Sequence, residues 1–275
     1  MSVLLTVGSC QRNISADKKL IPAETFFDVA YGTDSMQKMD IYLPAKRNAS
    51  TKVLFLIHGG AWSGGDKADF SVAIEAFKKY LPHYAIVNIN YRLAKQTGNY
   101  FPTQENDVQS AVNFIYKKGN LYSVSNDFVI MGASAGAHLA LLHAYKYKDP
   151  VQVKAVVSFF GPADLDAMYR TQANAYYKSL FALLVGGTPS ANSTAYTRSS
   201  PINYVDSKSP PTLLLHGARD IMVDISQSKT LKAKLELNRV PNELIIYPNE
   251  GHGWRGTELD NSFRKVARFL EEHVR

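Results

Sequence analysis

Val53-Leu54-Phe55-Leu56-Ile57 is an unbroken apolar run with no polar side chain to mark a wet face. A strand solvated on one side alternates apolar and polar residues. A continuous run of this length fits a strand covered on both faces, as at the centre of a parallel sheet. Similar runs recur at Ala85–Ile89, 128–131, 153–159, 212–215 and 244–247. Amphipathic stretches separate them. The first, 66–80, has Phe70, Ile74 and Phe77 at helical spacing, with Leu81 just beyond, and 104–117, 134–147, Ser226–Leu237 and 258–272 follow. Two shorter strands, 25–31 and Lys38–Leu43, precede the series and stop at Pro44. Strand and helix alternating over the whole length predict βαβ units. The fold class is therefore α/β, with a mostly parallel central sheet and helices on both faces, in a single domain over 25–275.

The rhythm breaks once. No strand is legible between Gly161 and Asp206, although Met168, Tyr169, Tyr176, Tyr177, Phe181 and Leu184 make the stretch apolar and aromatic. Such a length is too great for a bare loop, so 161–206 is expected to hold two packing helices, a small cap insertion over a pocket. With 45% apolar and 20% charged residues the chain is globular in composition, which excludes disorder, collagen and coiled coil. No apolar run approaches the roughly 18 residues of a membrane span. The excess of 31 Lys+Arg over 24 Asp+Glu gives +7. Its cations are scattered in the pairs Lys18-Lys19, Lys46-Arg47, Lys78-Lys79 and Lys117-Lys118. Nucleic-acid binding needs them gathered on one face, so no nucleic-acid partner is expected. The last two pairs are expected in helix C-terminal turns, where the helix dipole favours cations.

The single cysteine, Cys10, excludes an intramolecular disulfide and a multi-cysteine metal site. It ends the sequence Val7-Gly8-Ser9-Cys10 after a short apolar run, a pattern similar to a bacterial lipobox. Residues 1–24 are accordingly expected to be a leader and polar tether outside the fold. The localisation expected from it is an exported, lipid-anchored protein, with a cytoplasmic one as the alternative.

Gly132-Ala133-Ser134-Ala135-Gly136 matches G-x-S-x-G and lies between a strand ending near Met131 and an Ala/Leu-rich helix. Strand, tight turn, helix is the context of a nucleophile elbow, with Ser134 raised at a helix N-terminus. His58-Gly59-Gly60-Ala61-Trp62 follows the buried strand directly. A glycine-rich loop in that position donates backbone N–H groups to an oxyanion in serine hydrolases. A phosphate-binding reading of residues 60–67 fails, because Asp66 stands where a Walker loop needs Lys.

A serine nucleophile needs a base, and the base needs a carboxylate to orient it. Of seven histidines, His252 lies on a glycine-flanked loop just past the strand ending at Tyr247. His58 and His216 are expected to brace loops, and His138 to pack within the nucleophile helix. His83, His143 and His273 are expected on the surface or on helix faces. Asp220 follows the strand at 213–216 and is the expected acid, with Asp224 as the alternative. The order Ser134, Asp220, His252 is that of α/β-hydrolases. No cluster with metal-ligand spacing occurs, so neither a metal nor an organic cofactor is expected.

From Tyr31 to about His273 the chain resembles esterases and lipases of the α/β-hydrolase superfamily, near the hormone-sensitive-lipase-like and small bacterial carboxylesterase branches. Besides the motifs above, the likeness rests on Lys38-Met39-Asp40-Ile41-Tyr42-Leu43-Pro44, Asn90-Tyr91-Arg92-Leu93, Phe101-Pro102 with Asp107, Ser200-Pro201 and the stretch 210–217. The resemblance implies an α/β-hydrolase fold and an oxyanion hole from Gly59, Gly60 and the N–H of Ala135. Two positions depart from the commoner pattern. Ala61 replaces a third glycine yet keeps its N–H, and Asp224 replaces a proline, which adds a second carboxylate near the acid.

The function this implies is a serine carboxylesterase acting on short-chain or aryl esters, such as acetyl or feruloyl groups on a small-molecule or carbohydrate partner. Trp62 and Trp254 flank the loop and the base, and are candidates for apolar or sugar-stacking surface. The lack of a large amphipathic lid speaks against long-chain lipids. The His-Gly-Gly-x-Trp loop also resembles that of arylformamidases, which makes N-formylkynurenine hydrolysis the competing activity. A ligand-binding module without chemistry is the non-enzymatic alternative.

Overall fold

The computed structural model describes residues 21–274; Cys10, Lys18-Lys19 and the expected lipobox lie outside the described residues. Eight strands form one sheet: β1 (Glu24–Ala30), β2 (Lys38–Leu43), β3 (Val53–Ile57), β4 (Ala85–Ile89), β5 (Phe128–Ala133), β6 (Ala155–Phe159), β7 (Thr212–Gly217) and β8 (Asn242–Tyr247). Their order is β1-β2-β4-β3-β5-β6-β7-β8. From β4 to β8 every pairing is parallel, and β2 pairs antiparallel with both β1 and β4. The chain therefore steps outward from β3 to β4 and then back across β3 to β5. That reversal opens a crevice above the carboxyl ends of β3 and β5, where open α/β sheets bind their ligands.

The apolar run of β3 is covered on both sides, as its lack of alternation predicts. Val53, Phe55 and Ile57 face one core, and Leu54 and Leu56 face the other. The second core is closed by α1 (Ser71–Tyr80) and α8 (Gly256–His273). The first is closed by α2 (Thr103–Tyr122), α3 (Ala135–Lys146) and α7 (Ser226–Leu237). Among the described residues no helix is long and apolar enough to cross a membrane.

Two expectations need correction. The segment 161–206 holds three α-helices rather than two: α4 (Leu165–Thr171), α5 (Ala175–Val185) and α6 (Ser193–Ser199), followed by a 3-10 turn at Pro201–Tyr204. The extra break comes from local caps. Asp164 accepts from the Ala167 N–H, Asn174 accepts from the Tyr176 N–H, and Gly186 ends α5 in the left-handed region. The helix expected to end near Lys117 instead runs to Tyr122, so Lys117 and Lys118 are not in its last turn. Its buried stripe passes from Val108, Ala111 and Ile115 on to Gly119 and Tyr122, and it stops only at Ser123, which is left-handed.

Candidate active site

Ser134 sits between β5 and α3 with φ 52° and ψ −119°, a conformation costly for any residue with a Cβ. The flanking glycines are dictated by packing. A Cβ on Gly136 would stand 2.0 Å from the Ile57 carbonyl oxygen, and one on Gly132 would stand 2.3 Å from the Gly136 carbonyl. Gly136 is pressed against the end of β3, and Gly132 against the first turn of α3, so closely that only hydrogen fits at either position. The Ser134 N–H donates to the Phe159 carbonyl at 2.9 Å, which ties the strained residue to β6.

His252 comes from the loop after β8. Its Nε2 lies 2.9 Å from Ser134 Oγ and its Nδ1 lies 2.7 Å from Asp220 Oδ2. The Phe160 ring lies against the imidazole, with centroids 4.7 Å apart. The loops of base and acid are in direct backbone contact, since a Cβ on Gly217 would meet the Gly251 carbonyl oxygen at 2.2 Å.

The Asp220 side chain is fully buried. Its Oδ1 accepts from the Met222 and Val223 N–H groups, both at 2.9 Å. Burial acts to raise its pKa, but hydrogen bonds from His216, His252 and the Val223 amide outweigh it and hold the carboxyl far below the usual range. Asp224, the alternative acid, is exposed, and its Oδ1 accepts from the Ser226 N–H at the start of α7. Position and burial single out Asp220.

Of the other histidines, His58, His216 and His143 are buried. His58 stacks on Tyr91 at 4.3 Å, and burial pushes its pKa down. His216 Nδ1 pairs with Ser228 Oγ at 2.7 Å, and its Nε2 with the Val223 carbonyl at 2.8 Å. His143, expected on the surface or on a helix face, lies on α3 and is buried there, and desolvation lowers its pKa to about 4.

The loop after β3 turns through three consecutive residues of positive φ: Gly60 (102°), Ala61 (49°) and Trp62 (60°). The Ser63 and Gly64 N–H groups fold back onto the Gly60 carbonyl at 3.1 and 2.8 Å. Among the described residues the N–H groups of Gly60, Ala61 and Ala135 meet no acceptor. Gly59 lies flat on the elbow, and a Cβ there would be 3.4 Å from Ser134 Cβ. The Ala61 N–H, retained where the commoner pattern has a third glycine, is thus free beside that of Gly60.

Two cavities adjoin the elbow. One of about 20 Å³ is walled by Ala61, Trp62, Ser134, His252 and the cap residues Tyr177 and Phe181. The other, of about 170 Å³, lies between the N-terminal ends of α1 and α8, against Gly59, Ala133, Phe160, Trp254 and Phe263. Both tryptophans are buried, Trp62 to 2% and Trp254 to 7% exposure. Neither offers an open indole face to a sugar. They serve as apolar wall, and their N–H groups are spent on His138 and Ser262.

A family model described as BD-FAE matches residues 39–235. Esterase LipC of Mycobacterium tuberculosis is 25% identical over 89% of this chain. The chain spans 64% of LipC's length and about half that of other curated relatives. Among solved structures, a truncated carbohydrate esterase from gut microbiota superposes with a TM-score of 0.80 at 26% identity, covering 91% of this chain and 96% of that one. A bifunctional GH43-CE protein of Bacteroides eggerthii gives 0.78 at 29% identity, over 91% of this chain and 38% of that one.

Proposed function

The chain belongs to the BD-FAE family, and on that premise we propose that it is a serine carboxylesterase for short-chain or aryl esters carried on carbohydrate. The observation that carries the reading is the continuous hydrogen-bonded line from Ser134 Oγ through His252 to the buried Asp220. His252 Nε2 takes the Ser134 proton as Oγ attacks the ester carbonyl. The imidazolium so formed is stabilised by Asp220, which also fixes Nδ1 as the protonated nitrogen. The tetrahedral oxygen is met by the Ala135 N–H and by amides of the Gly59-Gly60-Ala61 stretch, each such donor being worth about 2.7–4 kcal/mol. The imidazolium then protonates the leaving alcohol. Water, deprotonated by the same nitrogen, releases the acid and restores Ser134.

The substrate class rests on the spaces beside Ser134 and on the comparisons. A cavity of about 20 Å³ admits a methyl-sized group, and one of about 170 Å³ is close to that of an engineered apolar cavity that binds benzene (about 150 Å³). Carbohydrate is favoured by the close superposition on a carbohydrate esterase from gut microbiota. The intact triad weighs against a module without chemistry.

Initial rates on p-nitrophenyl acetate, butyrate and octanoate, with Ser134→Ala alongside, test this directly. Short-acyl turnover that disappears in the variant is the expected result. Turnover of N-formylkynurenine without ester turnover would replace the reading with an amidase.

A further inference from the structure

We infer that His138, buried one turn into α3, is a positioning residue that fixes the oxyanion loop through Trp62 and ties it to the cap; this rests on the esterase reading. The Trp62 indole N–H donates to His138 Nδ1 at 3.1 Å, and His138 Nε2 donates to the Ser199 carbonyl at 2.6 Å. An indole nitrogen only donates, so Nδ1 must carry a lone pair and the ring must be the Nε2–H tautomer. Ser199 ends α6, and its carbonyl is among those a helix leaves without an internal partner. The cap therefore selects the tautomer, and the tautomer holds the tryptophan.

The consequence falls on Ala61 and Trp62. Two successive non-glycine residues with positive φ persist only where their surroundings impose that conformation. Three contacts impose it here. The Ala94 N–H donates to the Trp62 carbonyl at 2.8 Å, the His138 bond anchors the indole, and the indole packs edge-on to Phe181 of α5 with centroids 6.2 Å apart. Remove the His138 acceptor and the indole N–H is left buried and unpaired, which costs enough to re-aim the ring and the turn behind it. Burial lowers the His138 pKa to about 4 against the opposing Ser199 bond, so the ring stays neutral and keeps its acceptor near neutral pH.

The test compares His138→Leu, His138→Gln, Trp62→Phe and the Leu/Phe double variant on p-nitrophenyl acetate, with thermal unfolding of each. A displacement of about 1 Å at the oxyanion donors costs up to about 100-fold, so His138→Leu and Trp62→Phe should each lower kcat by about 10- to 100-fold. KM should move less than about threefold. The double variant should be no worse than the poorer single one, because both break the same bond. His138→Gln, which offers one acceptor and one donor, should regain most of kcat. Unchanged kcat in folded His138→Leu, or in Trp62→Phe should the first not fold, overturns the inference, as do fully additive losses. Wild-type protein that neither hydrolyses the ester nor reacts at Ser134 with diethyl p-nitrophenyl phosphate overturns the esterase reading itself, and the inference with it.

Discussion

His216 Nε2 lies 3.3 Å from Asp220 Oδ2, the same oxygen that His252 Nδ1 reaches at 2.7 Å, so one buried carboxylate oxygen faces two imidazoles. The two have different tasks. His216 gives its Nε2 proton chiefly to the Val223 carbonyl, bracing the loop whose Val223 N–H in turn binds Asp220. Replacing His216 with leucine should lower kcat by about tenfold through loss of that support, a smaller loss than removal of Asp220 itself. Steady-state rates of both variants on one ester decide it, and equal losses would show that His216 is as deeply engaged as the acid.

Asp220 also sets a pH dependence of stability. Its carboxyl is held below its ordinary value, so its ionised form stabilises the fold above the unfolded pKa near about 4, and that contribution is lost as pH falls through the folded value. Asp220→Asn lacks the titration. The stability gap between wild type and Asp220→Asn should be widest near neutral pH and narrow progressively below about pH 4. Urea midpoints of both proteins across that range provide the measurement, and a gap that does not change with pH would contradict the buried, charged carboxylate.

The backbone of Ser134 makes a separate prediction. At φ 52° and ψ −119° a Cβ is strained by about 1–3 kcal/mol, and glycine is not. Both Ser134→Ala and Ser134→Gly should abolish turnover. Yet Ser134→Gly should be the more stable of the two by about 1 kcal/mol, even after glycine's greater entropy in the unfolded chain. Denaturant midpoints of the two inactive proteins compare them without interference from catalysis.

The flanking glycines behave in the opposite way. A Cβ on Gly136 would need the β3 backbone to retreat from 2.0 Å, whereas one on Gly64 would meet the Gly60 carbonyl oxygen at an ordinary 3.6 Å. Gly136→Ala should cost about 3 kcal/mol or prevent folding, and Gly64→Ala less than about 1 kcal/mol. Similar midpoints for the two would refute the close approach of β3 and α3.

The same contacts explain how much was legible beforehand. Ser134, Asp220 and His252 each follow a strand of a parallel sheet, and parallel strands deliver the loops after them to one edge, so an apolar pattern and a few glycines suffice to bring the three together. The run at 53–57 announces two cores because neither face alternates. What stayed hidden depends on contacts between residues far apart in the chain. Trp62, His138 and Ser199 are separated by 76 and 61 positions, and nothing local to any of them signals the others. The third cap helix was missed because α6 is a short polar segment whose stability comes from Tyr196, buried among its neighbours, rather than from an apolar periodicity of its own. Burial of both tryptophans was equally invisible, since an indole beside a glycine loop reads the same whether it faces solvent or core.

On the proposed esterase reading, the larger cavity is expected to set which acyl groups are accepted. It lies beside Gly59 and Ala133, one residue from the nucleophile, and Leu259 near the start of α8 forms part of its wall. Leu259 is half-buried, so a larger side chain there can grow into the cavity without disturbing the sheet. Leu259→Trp should leave p-nitrophenyl acetate turnover within about threefold of wild type, because a methyl group needs only the space of about 20 Å³ beside Ser134. Butyrate and aryl-acyl esters should lose about 10- to 100-fold in kcat/KM, since losing room for one or two carbons in an apolar pocket costs about 1–3 kcal/mol. A uniform loss on all esters would mean that the substitution disturbs the elbow rather than the pocket. An unchanged chain-length profile would place the acyl group on the cap side, against Tyr177 and Phe181, and leave the slot between α1 and α8 outside the reaction.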